Sequence, residues 1–409
     1  MKILYLLSQR PDSTGSGFYV RALIKEALKK GHSCYLVAGV SQEDSIEILP
    51  SDNYSFIRFE GADLPCPIPG MSDVMPYKST RFIDMTEKEI NDYKKCFKRV
   101  IQNAVNTFKP DIIHSNHLWI MSSVAREACP DLPMITSCHG TDLRQIKNCE
   151  HLKHDVVKSC KKIDWIIALS QSQKNDIAAL LDISKEKINV AGSGFNDKLF
   201  LPAKKPKPPP VKLLYAGKLS SAKGVPLLLK AINRLKNSNI PFHLSLAGSG
   251  TGEDYEICRS FADELKGCVT FLGSINQDDL AKRMRESHIF ILPSFFEGLP
   301  LVLFEALASG CKIITTSLQG SLEILGDKSL NFIRFLDLPE LENIDSPFES
   351  DIPQLIQKLS EILKEEIEKS LLNPDIEMEK AEILIRDYRW EEVFKRIEKT
   401  YMTFSKIIS

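Results

Sequence analysis

Short apolar runs alternate with amphipathic stretches along most of the chain. Residues 3–7 form a continuous apolar run. Residues 18–30 repeat Val20, Leu23, Ile24, Ala27 and Leu28 at three- and four-residue spacing, and an apolar run resumes at 32–38. The periodicity predicts strand, helix, strand, with Gly31 closing the helix as a C-terminal glycine does. Residues 111–115, 134–137 and 164–168 read as further strands. They are short and Ile-rich, as strands covered on both faces are. Repetition of this unit predicts a parallel sheet in a doubly wound α/β domain.

The run 201–211, LPAKKPKPPPV, interrupts the alternation. Its prolines and lysines suit a stiff, polyproline-like linker. After it the pattern restarts, with strands expected at 212–216, 242–246, 269–272, 289–292 and 313–315 and a helix at 225–235. Helices are expected at 352–372, 376–387 and 391–407. The reading is therefore an N-terminal Rossmann-like domain over 1–200, a linker at 201–211, a second Rossmann-like domain over 212–387, and a closing helix over 388–409. A chain of 409 residues suits two such domains. The Pro- and Gly-rich stretch 63–75 reads as a loop.

Charge and cysteine usage remove several classes. Lys plus Arg is 53 and Asp plus Glu is 54, so the balance gives no footing for nucleic acid. The eight His and ten Cys are scattered, without CxxC or zinc spacing. The cysteines read as small buried hydrophobes in a reducing cytosol. The apolar run at 3–7 is too short for a secretory core, and no window nears a membrane span. A cytoplasmic protein is expected.

Three segments of the second half carry chemistry. Glu297-Gly298-Leu299-Pro300-Leu301-Val302-Leu303-Phe304-Glu305 follows a strand and enters a helix, with its two carboxylates eight positions apart. A loop entering a helix offers free N–H groups and the positive end of the helix dipole, which suits a diphosphate. Glu305 can accept from ribose hydroxyls and Glu297 from sugar hydroxyls. The second segment, running from Tyr215 to Gly224, leaves a strand and carries Lys218 and Lys223. Two such ammonium groups can neutralise a departing diphosphate without a metal. In the third, Gly248 and Gly250 form a turn where backbone can approach a ligand. Taken singly, each carboxylate or lysine reads as a solvated surface residue.

In this order and spacing the three segments resemble the C-terminal domain of retaining GT-B glycosyltransferases of the family 4 type, glycosyl transferases group 1. That family carries a Gly-Arg-Leu strand end followed by Lys-Gly, a Gly-x-Gly turn, and an acidic pair written E-x7-E. Pro293, Ser294, Ala306, Ala308, Gly310, Gly320 and Glu323 match as well. The resemblance covers most of 190–326. One departure is Lys218, where the family usually has Arg: the charge stays but the bidentate fork is lost. Lys312 stands where Pro is common.

The resemblance extends into the first half. Thr14-Gly15-Ser16-Gly17 is similar to the family's glycine loop, which approaches the donor phosphate and the acceptor; Gly15 and Gly17 share that role. Cys138-His139-Gly140-Thr141-Asp142 resembles its His-Gly-Thr-Asp segment, whose His faces the donor sugar. A histidine that only caps the next helix is the alternative. Ser193-Gly194-Phe195-Asn196 with Phe200 is similar to a hinge segment, and Trp390-Glu391-Glu392-Val393 to a closing helix that crosses back to the first domain. The His114–His117 and His151–His154 pairs lack a third ligand in sequence, and no metal is expected. Lys94, Lys95, Lys98 and Arg99 make a basic helix face, read as solvated, although the family includes peripheral membrane enzymes.

The resemblance implies a GT-B fold, two Rossmann-like domains facing a central cleft. It also implies transfer of a sugar from a nucleoside diphosphate sugar, with retention and without a metal or other cofactor. Catalytic roles fall to His139, Glu297, Lys218 and Lys223. Donor binding falls to Gly15, Gly17, Gly248, Gly250, Gly298, Leu299, Leu301 and Glu305. The partners implied are the donor and an acceptor whose identity the sequence leaves open. Three alternatives remain. A dinucleotide oxidoreductase needs G-x-G-x-x-G, but Glu253 stands where the third Gly belongs. A sugar-nucleotide epimerase or sugar phosphorylase shares the plan, and a silent nucleotide-sugar-binding protein would keep the pocket alone.

Overall fold

The computed structural model describes residues 1–44, 48–72, 75–236, 238–250, 252–265, 267–326 and 330–408, with the side chains of 405–408 excepted. Thr251 of the glycine turn and two residues of the 63–75 loop lie outside that set. The chain divides into two compact units, Met1–Ser193 with Trp390–Ser409, and Gly194–Arg389.

In the first unit seven parallel strands run, edge to edge, Tyr54–Phe59, Ser33–Ser41, Lys2–Leu7, Ile112–Asn116, Met134–Ser137, Trp165–Ala168, Ile188–Val190. Ile3 to Leu7 are wholly buried, which is why this strand shows no alternation of polar and apolar positions. The sheet order reverses between Lys2–Leu7 and Ile112–Asn116. The helix Gly15–Lys29 starts on Thr14, whose Oγ1 accepts from the Gly17 N–H at 3.0 Å. The basic helix Glu87–Phe108 opens on a capping box between Thr86 and Glu89.

The second unit repeats the plan. Six parallel strands run Val269–Gly273, Phe242–Ala247, Val211–Ala216, Ile289–Leu292, Lys312–Thr316, Ile333–Leu336. The order reverses between Val211–Ala216 and Ile289–Leu292. Helix Val225–Leu235 packs a wholly apolar face of Leu228, Leu229 and Ile232 into the core.

The Pro-rich run is no free spacer. It lies within the second unit, and Lys205 is buried there, its Nζ donating to the carbonyls of Met284 and Ser309, each at 2.8 Å. An ammonium sequestered from water needs such acceptors, so this lysine fastens the run to the domain. Helix Ile352–Leu372 packs on Val225–Leu235. The expected helix at 376–387 is shorter, Met378–Ile385, and continues as the tight turn Arg386–Tyr388. The chain then enters the first unit as helix Trp390–Ile408. There His32 Nε2 meets Glu398 at 2.8 Å, and Asn189 Nδ2 donates to Thr400 at 2.9 Å.

Candidate functional site

In open parallel sheets ligands gather beyond the carboxyl ends of the strands where the order reverses. In the second unit those ends release the loops 217–220 and 293–300. The two loops are fastened together: the Phe295 N–H donates to the Ala222 carbonyl at 2.9 Å. Lys223 Nζ lies 2.8 Å from Glu297 Oε1 and donates to the Phe296 carbonyl at 3.1 Å. Ser294 Oγ donates to the same Glu297 oxygen at 2.8 Å. The turn that carries Lys223 can lie this close because Gly224 follows it. Gly224 has φ +67°, and a methyl there would meet the Pro293 carbonyl oxygen at 2.0 Å, so only glycine serves.

The third segment joins the same end. The Leu219 N–H donates to the Ser249 carbonyl at 3.0 Å and the Gly217 N–H to Ala247 at 3.0 Å. Gly248 and Gly250 are thereby laid against the Lys218 loop. Lys218 is exposed, and its carbonyl accepts from Tyr215 Oη at 2.7 Å. Lys223 reaches Glu297.

Helix Leu301–Ala308 begins after Pro300 without a side-chain cap. No capping side chain therefore takes its first amides, those of Leu301 and Val302, while the Leu303 N–H donates to the Pro300 carbonyl at 3.0 Å; the partly exposed Gly298 and Leu299 lie next to them in the chain. Glu305 sits inside this helix, 8% exposed. Burial pushes its carboxyl up to about 7. The hydrogen bonds among the described residues give its carboxylate no donor. A buried acid without a partner is a costly arrangement unless something else supplies donors.

The first unit builds its own cluster at the reversal of its sheet. Asp142 is fully buried. It accepts from His117 Nδ1 at 2.6 Å and from the N–H groups of Leu118 and His139, each at 2.8 Å. Burial alone would raise its carboxyl, but the His117 charge and these donors outweigh it and hold the group below the usual carboxylate range. His139 precedes helix Gly140–Asn148, and its backbone N–H closes the helix start on Asp142. Its ring also has a place of its own. Nε2 lies 3.4 Å from Asn116 Oδ1, and the ring stands edge-on to Tyr19 at 5.0 Å and 4.8 Å from His117. Burial, and then His117, push the His139 imidazole down to about 3, so it is neutral at pH 7.

The two glycines of the loop differ in steric room. A methyl on Gly17 would meet the Arg10 carbonyl at 2.7 Å, whereas Gly15 faces open space. Gln9 joins this end of the sheet, with Nε2 donating to Ser16 Oγ at 2.6 Å and lying 3.2 Å from His117 Nε2.

Gln9, Asn116 and His117 escaped the sequence reading. The one signal available was His117 beside His114, weighed as a metal pair. In the structure His114 turns to Tyr401 and Ser137 while His117 turns to Asp142. Among the described residues no group of three His, Cys, Asp or Glu is placed to hold a metal. No helix among them is long and apolar enough to cross a membrane.

Two family models match the chain: Glycosyltransferase Family 4 over residues 13–199, and Glycosyl transferases group 1 over 197–335. Glycogen synthase of Mycobacterium tuberculosis is 26% identical over 234 residues, 55% of this chain and 55% of that protein. The match thus spans about half the length of that relative. Sucrose-phosphate synthase from Thermosynechococcus elongatus superposes with a TM-score of 0.71 at 17% identity, covering 100% of both chains. Anabaena HepE in complex with UDP-glucose gives 0.67 at 17% identity, covering 98% of this chain and 100% of that one. These likenesses show the GT-B fold. The family models, meeting near residue 198 and together covering residues 13–335, show that the chain belongs to the group 1 glycosyltransferases.

Proposed function

We propose that this chain transfers a sugar from a nucleoside diphosphate sugar to a hydroxyl-bearing acceptor, with retention at the anomeric carbon and without a metal. The observation that carries the reading is the Lys223–Glu297 pair. It sits at the switch point of the second sheet, beside the uncapped start of helix Leu301–Ala308. An ammonium and a set of helix-start amides provide positive charge where a diphosphate would depart. In this reading Lys218 and Lys223 take the diphosphate, and Gly248 and Gly250 admit it. The amides near Gly298, Leu299 and Leu301 complete its cradle.

Glu305 takes the ribose hydroxyls. Those hydroxyls are donors, which this buried carboxylate otherwise lacks. Glu297 takes hydroxyls of the donor sugar, and its bonds from Lys223 and Ser294 hold it in place beforehand. His139, neutral, serves a sugar hydroxyl, while Gly15 and Gly17 let backbone come close to the donor phosphate. The UDP-glucose complex of the structurally similar HepE supports a nucleotide sugar as donor. Departure is assisted by fixed charge and dipole, with no covalent enzyme intermediate in the scheme.

The test is product analysis of the protein incubated with UDP-, GDP- and ADP-sugars, with and without a panel of sugar and polyol acceptors. Release of nucleoside diphosphate together with a new glycoside of unchanged anomeric configuration is the expected result. A rearranged nucleotide sugar with no acceptor present identifies an epimerase instead. Binding without turnover identifies a silent binding protein.

A further inference from the structure

Behind His139 the first unit contains a buried polar chain that the proposed chemistry does not use. Tyr19 Oη lies 3.1 Å from Ser137 Oγ, and Ser137 Oγ lies 2.8 Å from His114 Nε2. His114 Nδ1 lies 2.5 Å from Tyr401 Oη, which lies 3.4 Å from Tyr5 Oη. All five residues are within 1% of complete burial. Tyr401 belongs to helix Trp390–Ile408, and that helix also reaches Tyr19 directly, through Trp390 edge-on at 5.5 Å. Tyr19 in turn stands edge-on to His139. The C-terminal helix therefore holds Tyr19 at both ends, by its ring and by its hydroxyl.

The chain admits few arrangements. Burial pushes His114 down to about 3, so its ring is neutral and carries one proton. Each hydroxyl also carries one. The bonds must then run in one sense throughout, from Tyr5 toward Tyr19 or from Tyr19 toward Tyr5. Removing any single hydroxyl breaks the sequence and frees the remaining members to reorient.

We propose that Tyr19 is a positioning residue for His139, and that the C-terminal helix sets its position through Tyr401, His114 and Ser137. The proposal rests on the role given above to His139, but its first test does not. Tyr401→Phe removes one hydroxyl on the far side of His114 from Tyr19 and keeps the ring. In the full-length protein with isotope-labelled histidine, the variant should shift the ring signals of both His114 and His139 while the melting temperature stays close to that of the unchanged protein. Tyr19→Phe should shift the same two signals, and it serves alone if Tyr401→Phe does not fold. His139 signals unmoved by either variant overturn the proposal.

The second arm uses turnover of UDP-glucose by water. Tyr401→Phe should lower kcat several-fold with KM unchanged, and should have no further effect in a His139→Asn background. An equal proportional loss in both backgrounds overturns the proposal. If no nucleotide sugar is turned over at all, the glycosyl-transfer reading fails and the resonance arm still decides this one.

Discussion

Lys223 Nζ stands 2.8 Å from Glu297 Oε1, joining two loops that leave neighbouring strands of the second sheet. The pair is partly solvated, with side chains 27% and 15% exposed. Its contribution to stability is therefore small, about 1 kcal/mol or less, and its importance lies in what it holds ready. Glu297→Gln and Lys223→Ala should each keep the melting temperature within a few degrees. Each should lower transfer from a nucleotide sugar by roughly 10²-fold or more. Lys223→Ala should also weaken nucleoside diphosphate binding, whereas Glu297→Gln should spare it. Melting curves and steady-state kinetics on the same preparations check both.

Glu305 predicts a pH dependence of defined sign. Its carboxyl is raised by burial to about 7, above the unfolded value, so ionising it costs more in the folded protein than in the unfolded chain. Stability should fall as pH rises from about 4.5 toward 7 and level off above that, by up to roughly 3 kcal/mol. Glu305→Gln should flatten this slope and melt higher than the unchanged protein at pH 8. Donor affinity should move the other way: ribose hydroxyls bind the ionised form, so affinity rises through the same window and the variant loses that rise. Denaturant titrations and calorimetric binding at pH 5 and 8 separate the two effects.

Steric room predicts opposite fates for glycines that look alike in the sequence. Gly224→Ala forces a side chain into φ +67° and against Pro293, so it should destabilise the second unit by about 2 kcal/mol or more. Gly17→Ala meets the Arg10 carbonyl and should behave similarly in the first unit. Gly15→Ala, facing open space at the start of a helix, should be neutral or slightly stabilising. Chemical denaturation of the three variants tests the contrast.

Asp142 should govern acid stability of the first unit. Its folded carboxyl lies below the usual range, so its contribution is present above the unfolded value near 4 and is lost as pH falls through the folded one. Asp142→Asn should cost about 3 kcal/mol at pH 7, by leaving the buried His117 and the two amides imperfectly paired. It should also be less sensitive to acid than the unchanged protein. Unfolding free energies at pH 7 and pH 3 give the comparison.

Buried elements were legible in the sequence because burial on both faces leaves uninterrupted apolar runs. Strands Met134–Ser137 and Ile289–Leu292 and helices Val225–Leu235 and Ile352–Leu372 fall at the expected residues. The two edge strands of the first sheet were not legible, whereas Val269–Gly273, at an edge of the second, was expected at 269–272. Tyr54–Phe59 mixes Ser55 and Arg58 with aromatics, and Ile188–Val190 spans three residues, too little for either period to register. The second-half constellation could be read because its residues lie in a few short segments. Gln9, Asn116 and His117 could not, since their meeting with Asp142 and His139 depends on strand order and on the left-handed backbone of His117, φ +77°. The Pro-rich run misled for a related reason: nothing local shows that Lys205 finds carbonyl acceptors far along the chain.

The central claim is that the switch point of the second unit grips a nucleoside diphosphate through Lys223. Calorimetric titration of UDP-, GDP- and ADP-sugars into the unchanged protein and into Lys223→Ala, at matched pH and salt, addresses it most directly. The account predicts saturable one-site binding of at least one of these ligands, weakened about tenfold or more in the variant. Absence of binding by every nucleotide sugar, or equal affinity in the two proteins, would contradict it.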